Sequence, residues 1–110
     1  MEMNEYQRLA LRTAGHRENA EHVLTYTALG LTGESGEVAE EIKKALYHAH
    51  PLNKERLSQE LGDVLWYLAV MAHELGIPLE QIARDNIEKL RQRYPEGFSE
   101  ERSLNRSTDA

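Results

Sequence analysis

The amino-acid sequence predicts an all-α protein, and three observations lead to that prediction. Proline occurs only at positions 51, 78 and 95, which leaves long stretches free of this helix breaker. Between the prolines, apolar residues recur at helical spacings of three and four, and β-branched residues are few. No segment shows the alternating pattern of a strand. Since the predicted loops are short, we expect a four-helix bundle in one domain over residues 1–98, followed by a polar tail over 99–110.

Four helices account for these patterns. The first covers roughly residues 3–14, and the second covers roughly 20–48 and ends before the loop HAHPLN. The third covers roughly 54–75 and ends at GIP, where a glycine is followed closely by a proline. The fourth covers roughly 79–93 and ends at YPEGF. We expect the polar segment from Ser99 to Ala110 to be loosely held.

Composition restricts the class of protein. The chain has 110 residues, a formal net charge of −6, 40% apolar residues and no cysteine. A net-negative protein is a poor non-specific ligand for nucleic acid, and without cysteine there is no disulfide or thiolate chemistry. The first residues, MEMNEYQRLALR, are polar, and no apolar run reaches the ~18 residues of a membrane span. We therefore expect a cytoplasmic protein that binds neither nucleic acid nor a membrane.

A short internal repeat places acids beside the apolar arcs of the second and third helices. The segment ESGEVA begins at Glu34 and ELGDVL begins at Glu60, and both read Glu-x-Gly-acid-Val-apolar. Residues three apart are neighbours on a helix, so each copy presents two carboxylates side by side. Because the two helices are predicted to be antiparallel neighbours, we expect four carboxylates to face one another. They are those of Glu34, Glu37, Glu60 and Asp63.

Such a group of acids favours a bound cation. Like charges in a partly desolvated site repel strongly, and oxygen ligands without Cys or His select a hard divalent ion, Mg²⁺ or alternatively Mn²⁺. Gly36 and Gly62 each cost a helix about 1 kcal/mol relative to Ala, and one explanation is that their bare backbone admits a ligand or another helix. The alternative is that the acids form a solvated flank, which is common for one such pair and less common for two matching copies.

The apolar arcs also predict the core. On the third helix the arc consists of Leu57, Leu61, Val64, Leu65, Leu68, Met71, Ala72 and Leu75. On the second helix it consists of Leu24, Ala28, Leu31, Val38, Ala39, Ile42, Ala45 and Leu46. Trp66 falls outside the arc of its helix, so we expect it to pack against a partner subunit, and the alternative is that it stacks on a base.

The fourth helix carries a second polar row. Asn86 falls within the apolar arc of that helix, and Lys89 and Arg93 follow at the edge of the arc. A buried amide needs hydrogen-bond partners, and inward cations suit a polyanion, so these residues are candidates for sugar and phosphate contacts. The alternative is that Asn86 bonds a neighbouring backbone while the two cations reach water or pair with the carboxylates. Lys43 is a further candidate for a phosphate contact.

Three segments together resemble the MazG-like nucleotide pyrophosphohydrolases of the all-α NTP pyrophosphatase group. They are GLTGESGEVAEEIKK, ELGDVLWYL and NIEKLRQRYPEGF, and the similarity runs from Leu29 to Phe98. The resemblance implies an α-helical bundle that works as a homodimer or homotetramer. It also implies an enzyme that cleaves nucleoside triphosphates to monophosphate and pyrophosphate with Mg²⁺, in the removal of unwanted nucleotides.

The resemblance also implies roles for single residues. The metal-binding acids would be Glu34, Glu37, Glu60 and Asp63. The nucleotide would contact Asn86, Lys89 and Arg93. Glu34 or Glu37 would assist a water that attacks the α-phosphorus, and pyrophosphate would leave. Several family members carry a Glu directly before the first motif, where this chain has Gly33, so the identity of the general base stays open.

Two other functions remain compatible with the sequence. One is a metal-dependent hydrolase of a different phosphorylated ligand on the same bundle. The other is a non-catalytic helical interaction module, whose acids would form a solvated surface. The intact acids and the row of Asn86, Lys89 and Arg93 favour a phosphorylated ligand over both a decayed site and an empty surface.

Overall fold

The computed structural model describes residues 1–15 and 19–106, and every regular element within them is a helix. The elements are α1 (Met3–Ala10), a 3₁₀ turn (Leu11–Thr13), α2 (Ala20–Tyr47), α3 (Lys54–Glu74), α4 (Leu79–Arg93) and α5 (Glu100–Leu104). The predicted all-α class is confirmed. The chain divides into two compact units, Met1–Leu79 and Glu80–Ala110. The predicted domain boundary at residue 98 stays a prediction.

An asparagine side chain caps the N-terminus of each of the two long helices. The side-chain oxygen of Asn19 accepts a hydrogen bond from the backbone N–H of His22 at 2.8 Å. That of Asn53 accepts one from the N–H of Arg56 at 3.0 Å. Such a cap contributes about 1 kcal/mol relative to alanine. After α3, Gly76 adopts a φ of 74°, a conformation that glycine reaches without strain. The predicted bounds of α2 and α3 are confirmed to within one residue.

A buried glutamine fastens α1 to the end of α3. Gln7 is only 7% exposed, and its Nε2 donates hydrogen bonds to the carbonyl oxygens of Ala69 and Ile77, both at 3.1 Å. Its Oε1 accepts a hydrogen bond from the N–H of Leu79 at 3.0 Å. Both ends of the amide are therefore satisfied, which a buried polar group requires. The burial of Gln7 was not predicted, because nothing in the sequence of a short polar helix shows which amide will be covered.

One buried apolar cluster of the first unit joins α1, α3 and the first residue of α4. Its members are Ala10, Ala69 and Leu79, with Tyr6 and Trp66 packed against them. The indole Nε1 of Trp66 donates hydrogen bonds to the carbonyl of Ala10 at 3.1 Å and to the hydroxyl of Thr13 at 2.8 Å. Trp66 therefore packs against α1 of its own chain while staying partly exposed, and a contact with a partner subunit stays a prediction. A wheel of α3 alone could not show that α1 covers the face outside the leucine arc.

The leucine arc of α3 is largely exposed in this chain. Between 37% and 56% of the surface is accessible for Leu61, Leu65, Leu68 and Leu75. Of the predicted α3 arc only Ala72 is buried, and of the predicted α2 arc no residue is buried. The buried residues of α2 are Val23 and Thr27. The predicted core was thus wrong for the single chain, because periodicity identifies an apolar face and not the neighbour that covers it.

The second unit contains a helix that was not predicted from the sequence. The Ser99 hydroxyl oxygen accepts a hydrogen bond from the N–H of Arg102 at 3.3 Å, which caps α5. The Nε of Arg102 donates to the carbonyl of Arg93 at 2.6 Å, at the end of α4. The expectation of a loose segment is wrong for Glu100–Leu104, where a serine cap and two glutamates in the first turn were the missed signals. Residues 107–110 of the predicted tail lie outside the described residues.

Candidate functional site

Three carboxylates converge between α2 and α3. One oxygen from each of Glu34, Glu60 and Asp63 lies within 4.8 Å of the other two. Glu34 and Glu60 are partly buried, and Asp63 is exposed. We call these three residues the acidic cluster. The structure therefore brings together three of the four carboxylates that the repeat predicted to face one another.

Crowding among the carboxylates raises the proton affinity of Glu34. A hydrogen bond with Glu60 raises the pKa of Glu34, and partial burial raises it further. The negative charges of Asp63, Glu60 and Glu37 act in the same direction. Without a cation, Glu34 thus holds a proton more readily than an isolated glutamate would. Carboxylate oxygens at this spacing are the donors that a hard divalent cation prefers, so the residues fit the predicted metal.

Glu37 lies outside the acidic cluster. It is one turn after Glu34 on α2 and is exposed, and its charge is the smallest of the influences on the pKa of Glu34. Its predicted roles as metal ligand and as base therefore stay predictions.

Two contacts flank the acidic cluster and define the register of the two helices. On one side, the Nε of Arg56 lies 3.1 Å from Oε1 of Glu41. On the other side, the ring of Tyr67 lies directly against Gly30, and a methyl group at position 30 would overlap that ring. Gly30 is therefore the position where two helices approach closely because a side chain is lacking.

The glycines within the motif copies have open surroundings. A methyl group at Gly36 or Gly62 would meet no atom of the described residues within 4 Å, and the same holds at Gly33. No contact with another helix of the described chain thus explains Gly36 and Gly62, and an approach by a ligand or partner subunit stays a prediction. Space at Gly33 also means that packing within the described chain does not exclude an acid there.

Aromatic residues adjoin the acidic cluster. The ring centroids of Tyr26 and Tyr67 are 5.9 Å apart, and those of Trp66 and Tyr67 are 5.0 Å apart in an edge-on arrangement. A hydrogen bond with Tyr26 raises the pKa of Tyr67, and burial and the charges of Glu34 and Asp63 add to the effect. Tyr26 was not predicted as part of the site, although it lies about two helical turns before Glu34 and so on the same face of α2.

The residues predicted to contact the nucleotide lie on α4, in the second unit. Asn86 is exposed, so its predicted place within a buried arc is wrong for this chain. Its position in the arc reflected the apolar residues around it in sequence, which are themselves exposed on α4. Lys89 and Arg93 line an open cavity of about 910 Å³, together with Arg102 and Arg106. Glu96 and Glu101 also line it, so four cations face two carboxylates, and the excess positive charge suits an anion.

Lys43 forms an ion pair within α2. Its Nζ lies 3.2 Å from Oε2 of Glu40, three residues earlier, and both side chains are substantially exposed. Such a pair contributes little to stability, so Lys43 would exchange it readily for a phosphate. The predicted phosphate contact of Lys43 stays a prediction.

Comparisons with known proteins place these motifs in context. A family model described as the MazG nucleotide pyrophosphohydrolase domain matches residues 23–98, which include both motif copies and α4. The chain is 38% identical over 78 residues to the Gene 37 protein of Mycobacterium phage L5, an alignment that covers 67% of this chain and 68% of that protein. No solved structure matches the chain. Among the described residues, no helix combines the length and apolar character needed to cross a bilayer.

Proposed function

This chain belongs to the MazG nucleotide pyrophosphohydrolase domain family, and on that premise we propose that it is a metal-dependent nucleoside triphosphate pyrophosphohydrolase. It would cleave between the α- and β-phosphates and release a nucleoside monophosphate and pyrophosphate. The observation that carries the proposal is the acidic cluster, in which oxygens of Glu34, Glu60 and Asp63 lie within 4.8 Å of one another. Removal of unwanted nucleotides in the cytoplasm is the role that this reaction would serve.

The acidic cluster would hold the metal. Its three carboxylates suit Mg²⁺, with Mn²⁺ as the alternative, because both ions prefer oxygen ligands. When bound, such an ion neutralises phosphate charge and lowers the pKa of a water. Glu37 would complete the ligands or take the proton of the attacking water, since it lies one turn from Glu34. Glu34 is the other candidate for that base.

The cations would bind the phosphates. Lys89 and Arg93 would neutralise the charge that builds on pyrophosphate as it leaves, and Asn86 would orient a sugar or phosphate oxygen. Lys43 would join them after releasing Glu40. The cavity that Lys89 and Arg93 line has more cations than carboxylates, and this excess supports the assignment.

We also propose that the enzyme is a homodimer or homotetramer. The support is the exposed leucine arc of α3, where Leu61 and Leu75 are 56% and 54% accessible. Contiguous apolar surface of this kind is typical of a protein interface. Light scattering that shows a monomer at micromolar concentration would contradict this proposal.

Pyrophosphate release from a panel of ribo- and deoxyribonucleoside triphosphates tests the reaction. We expect release with Mg²⁺ or Mn²⁺ and none with EDTA, and the organic product should be the monophosphate. Asp63→Asn should abolish release. Glu55→Gln, which changes an exposed acid of the same helix outside the cluster, should retain it. Release of orthophosphate and a diphosphate, or full activity in EDTA, would overturn the proposal.

A further inference from the structure

A second cavity lies in the first unit, beside the aromatic residues that adjoin the acidic cluster. Its volume is about 270 Å³. Its walls include Val23, Tyr26, Trp66, Val70, His73 and Glu74. We call it the aromatic cavity. The cleavage chemistry proposed above uses none of these residues.

The walls of the aromatic cavity suit a flat ring system. Tyr26 and Trp66 supply aromatic surface, and aromatic side chains bind nucleobases by stacking. The indole of Trp66 is already held by hydrogen bonds to Ala10 and Thr13, so little ordering is needed when a ligand binds. Pockets for drug-sized ligands have volumes of about 300–1,000 Å³. A cavity slightly below that range admits a base and not a complete nucleotide.

The rim of the aromatic cavity is polar. We use this name for two residues that line the cavity, His73, which is exposed, and Glu74, which is partly buried. A carboxylate accepts hydrogen bonds from the amino group of a base, and an imidazole can donate or accept one. The lining thus combines aromatic and apolar side chains with polar groups, and in small-molecule sites such polar groups decide specificity.

The aromatic cavity lies at a suitable distance from the acidic cluster. From Asp63 to Val70 is seven residues of α3, which corresponds to about 10 Å along the helix axis. From Glu34 back to Tyr26 is eight residues of the antiparallel α2, or about 12 Å in the same direction. Tyr67 lies between the two, in contact with Tyr26 and close to the acids. A nucleotide, which joins phosphate, sugar and base in series, has this length.

We propose that the aromatic cavity is the nucleobase site of the enzyme. Tyr26 and Trp66 would lie against the base, and His73 and Glu74 would read its edge. This inference rests on the proposed function, because it places the phosphates of the same nucleotide at the acidic cluster. It adds the surface that would decide which bases are accepted.

Fluorescence of the protein tests occupancy directly, because Trp66 is the single tryptophan of the chain. With Mg²⁺ present, we expect a saturable change in Trp66 emission on titration with nucleoside monophosphates. Inorganic triphosphate, which has no base, should leave the emission unchanged. Pyrophosphate release without any nucleotide effect on Trp66 would overturn the base site and leave the proposed function intact. An emission change with nucleotides but no release would support the base site and count against the proposed function.

Two substitutions at the rim test whether His73 and Glu74 decide which bases the enzyme prefers. Glu74→Gln keeps the size of the side chain and replaces an acceptor-only carboxylate by an amide, and His73→Ala removes the imidazole. We expect at least one of them to change the ratio of kcat/KM values between two bases by about tenfold. Glu55→Gln, the same chemical change at the start of α3, should leave that ratio unchanged. An unchanged base ranking in both rim variants, with normal turnover, would overturn the assignment.

Discussion

The two copies of the acidic motif are alike in sequence and make matching contacts with different chemistry. Gly30 lies four residues before the first copy, and Arg56 lies four residues before the second. Each touches the residue seven positions after the start of the opposite copy. Arg56 forms an ion pair with Glu41, and Gly30 packs against the ring of Tyr67. The pair of helices is thus close to two-fold symmetric in its contacts, with a charged end and an aromatic end on either side of the acidic cluster.

This comparison shows what a repeat does and does not determine. Matching sequences give the acids the same phase on each helix, so both copies turn carboxylates toward the partner helix. The second acid of each copy nevertheless has a different environment. Asp63 belongs to the acidic cluster, and Glu37 lies outside it. The contact of Gly30 with Tyr67 involves an aromatic ring, whereas the matching contact of Arg56 with Glu41 is an ion pair. The aromatic cavity lies at the end with the aromatic contact.

Asp63→Asn and Glu37→Gln change equivalent positions of the two copies, and we expect the largest effects from them. Both should lower pyrophosphate release by about a hundredfold or more, because each removes a charged group close to the reaction. They should differ in Mg²⁺ affinity, measured by calorimetry. Asp63→Asn should weaken it by more than about tenfold, since a ligand of the cluster is lost, and Glu37→Gln by much less. Equal losses of affinity would show that the two copies bind the metal symmetrically.

Gly30→Ala and Gly62→Ala should have effects of opposite sign on stability. Alanine at position 30 overlaps the ring of Tyr67, and displacing that ring should lower the free energy of unfolding by about 1–2 kcal/mol net. Alanine at position 62 meets open space and should raise the free energy of unfolding by up to ~1 kcal/mol. Urea denaturation measures both. A destabilised Gly62→Ala variant would indicate that a second copy or a ligand covers this position.

The smallest expected effect concerns pH. Because the pKa of Glu34 is raised above its ordinary value of 4.5, its contribution to stability is complete below about pH 4.5 and is lost as the pH rises through the folded-state pKa. The main cause of the raised pKa is the hydrogen bond with Glu60, so Glu60→Gln, which replaces that carboxyl group by an amide, should reduce the shift. In metal-free protein, the variant should therefore gain stability relative to wild type as the pH rises from about 4 toward 7. Thermal unfolding in EDTA measures this difference, and a difference that shrinks with rising pH would show that Glu60 is not the cause of the raised pKa.

Prediction from the sequence succeeded where short-range patterns decide the structure. The prolines, the loop segments and the apolar spacing gave bounds for α2 and α3 within one residue. It failed where a distant segment decides the environment of a side chain. The position of Trp66 on its helix did not show that its indole hydrogen-bonds the end of α1. The helix α5 was missed because its cap lies in a polar segment without an apolar stripe.

The sequence by itself determined the helices, the phase of the acids on them and the family, since all three depend on the identity and spacing of residues along one chain. Only the tertiary structure decided which acids meet, because the register of α2 on α3 depends on contacts between residues far apart in sequence, such as Gly30 with Tyr67. It also decided that Gln7 is buried and that Tyr26 and Trp66 border a cavity. A helical period specifies the direction of a side chain, whereas its neighbours are specified only when the helices pack.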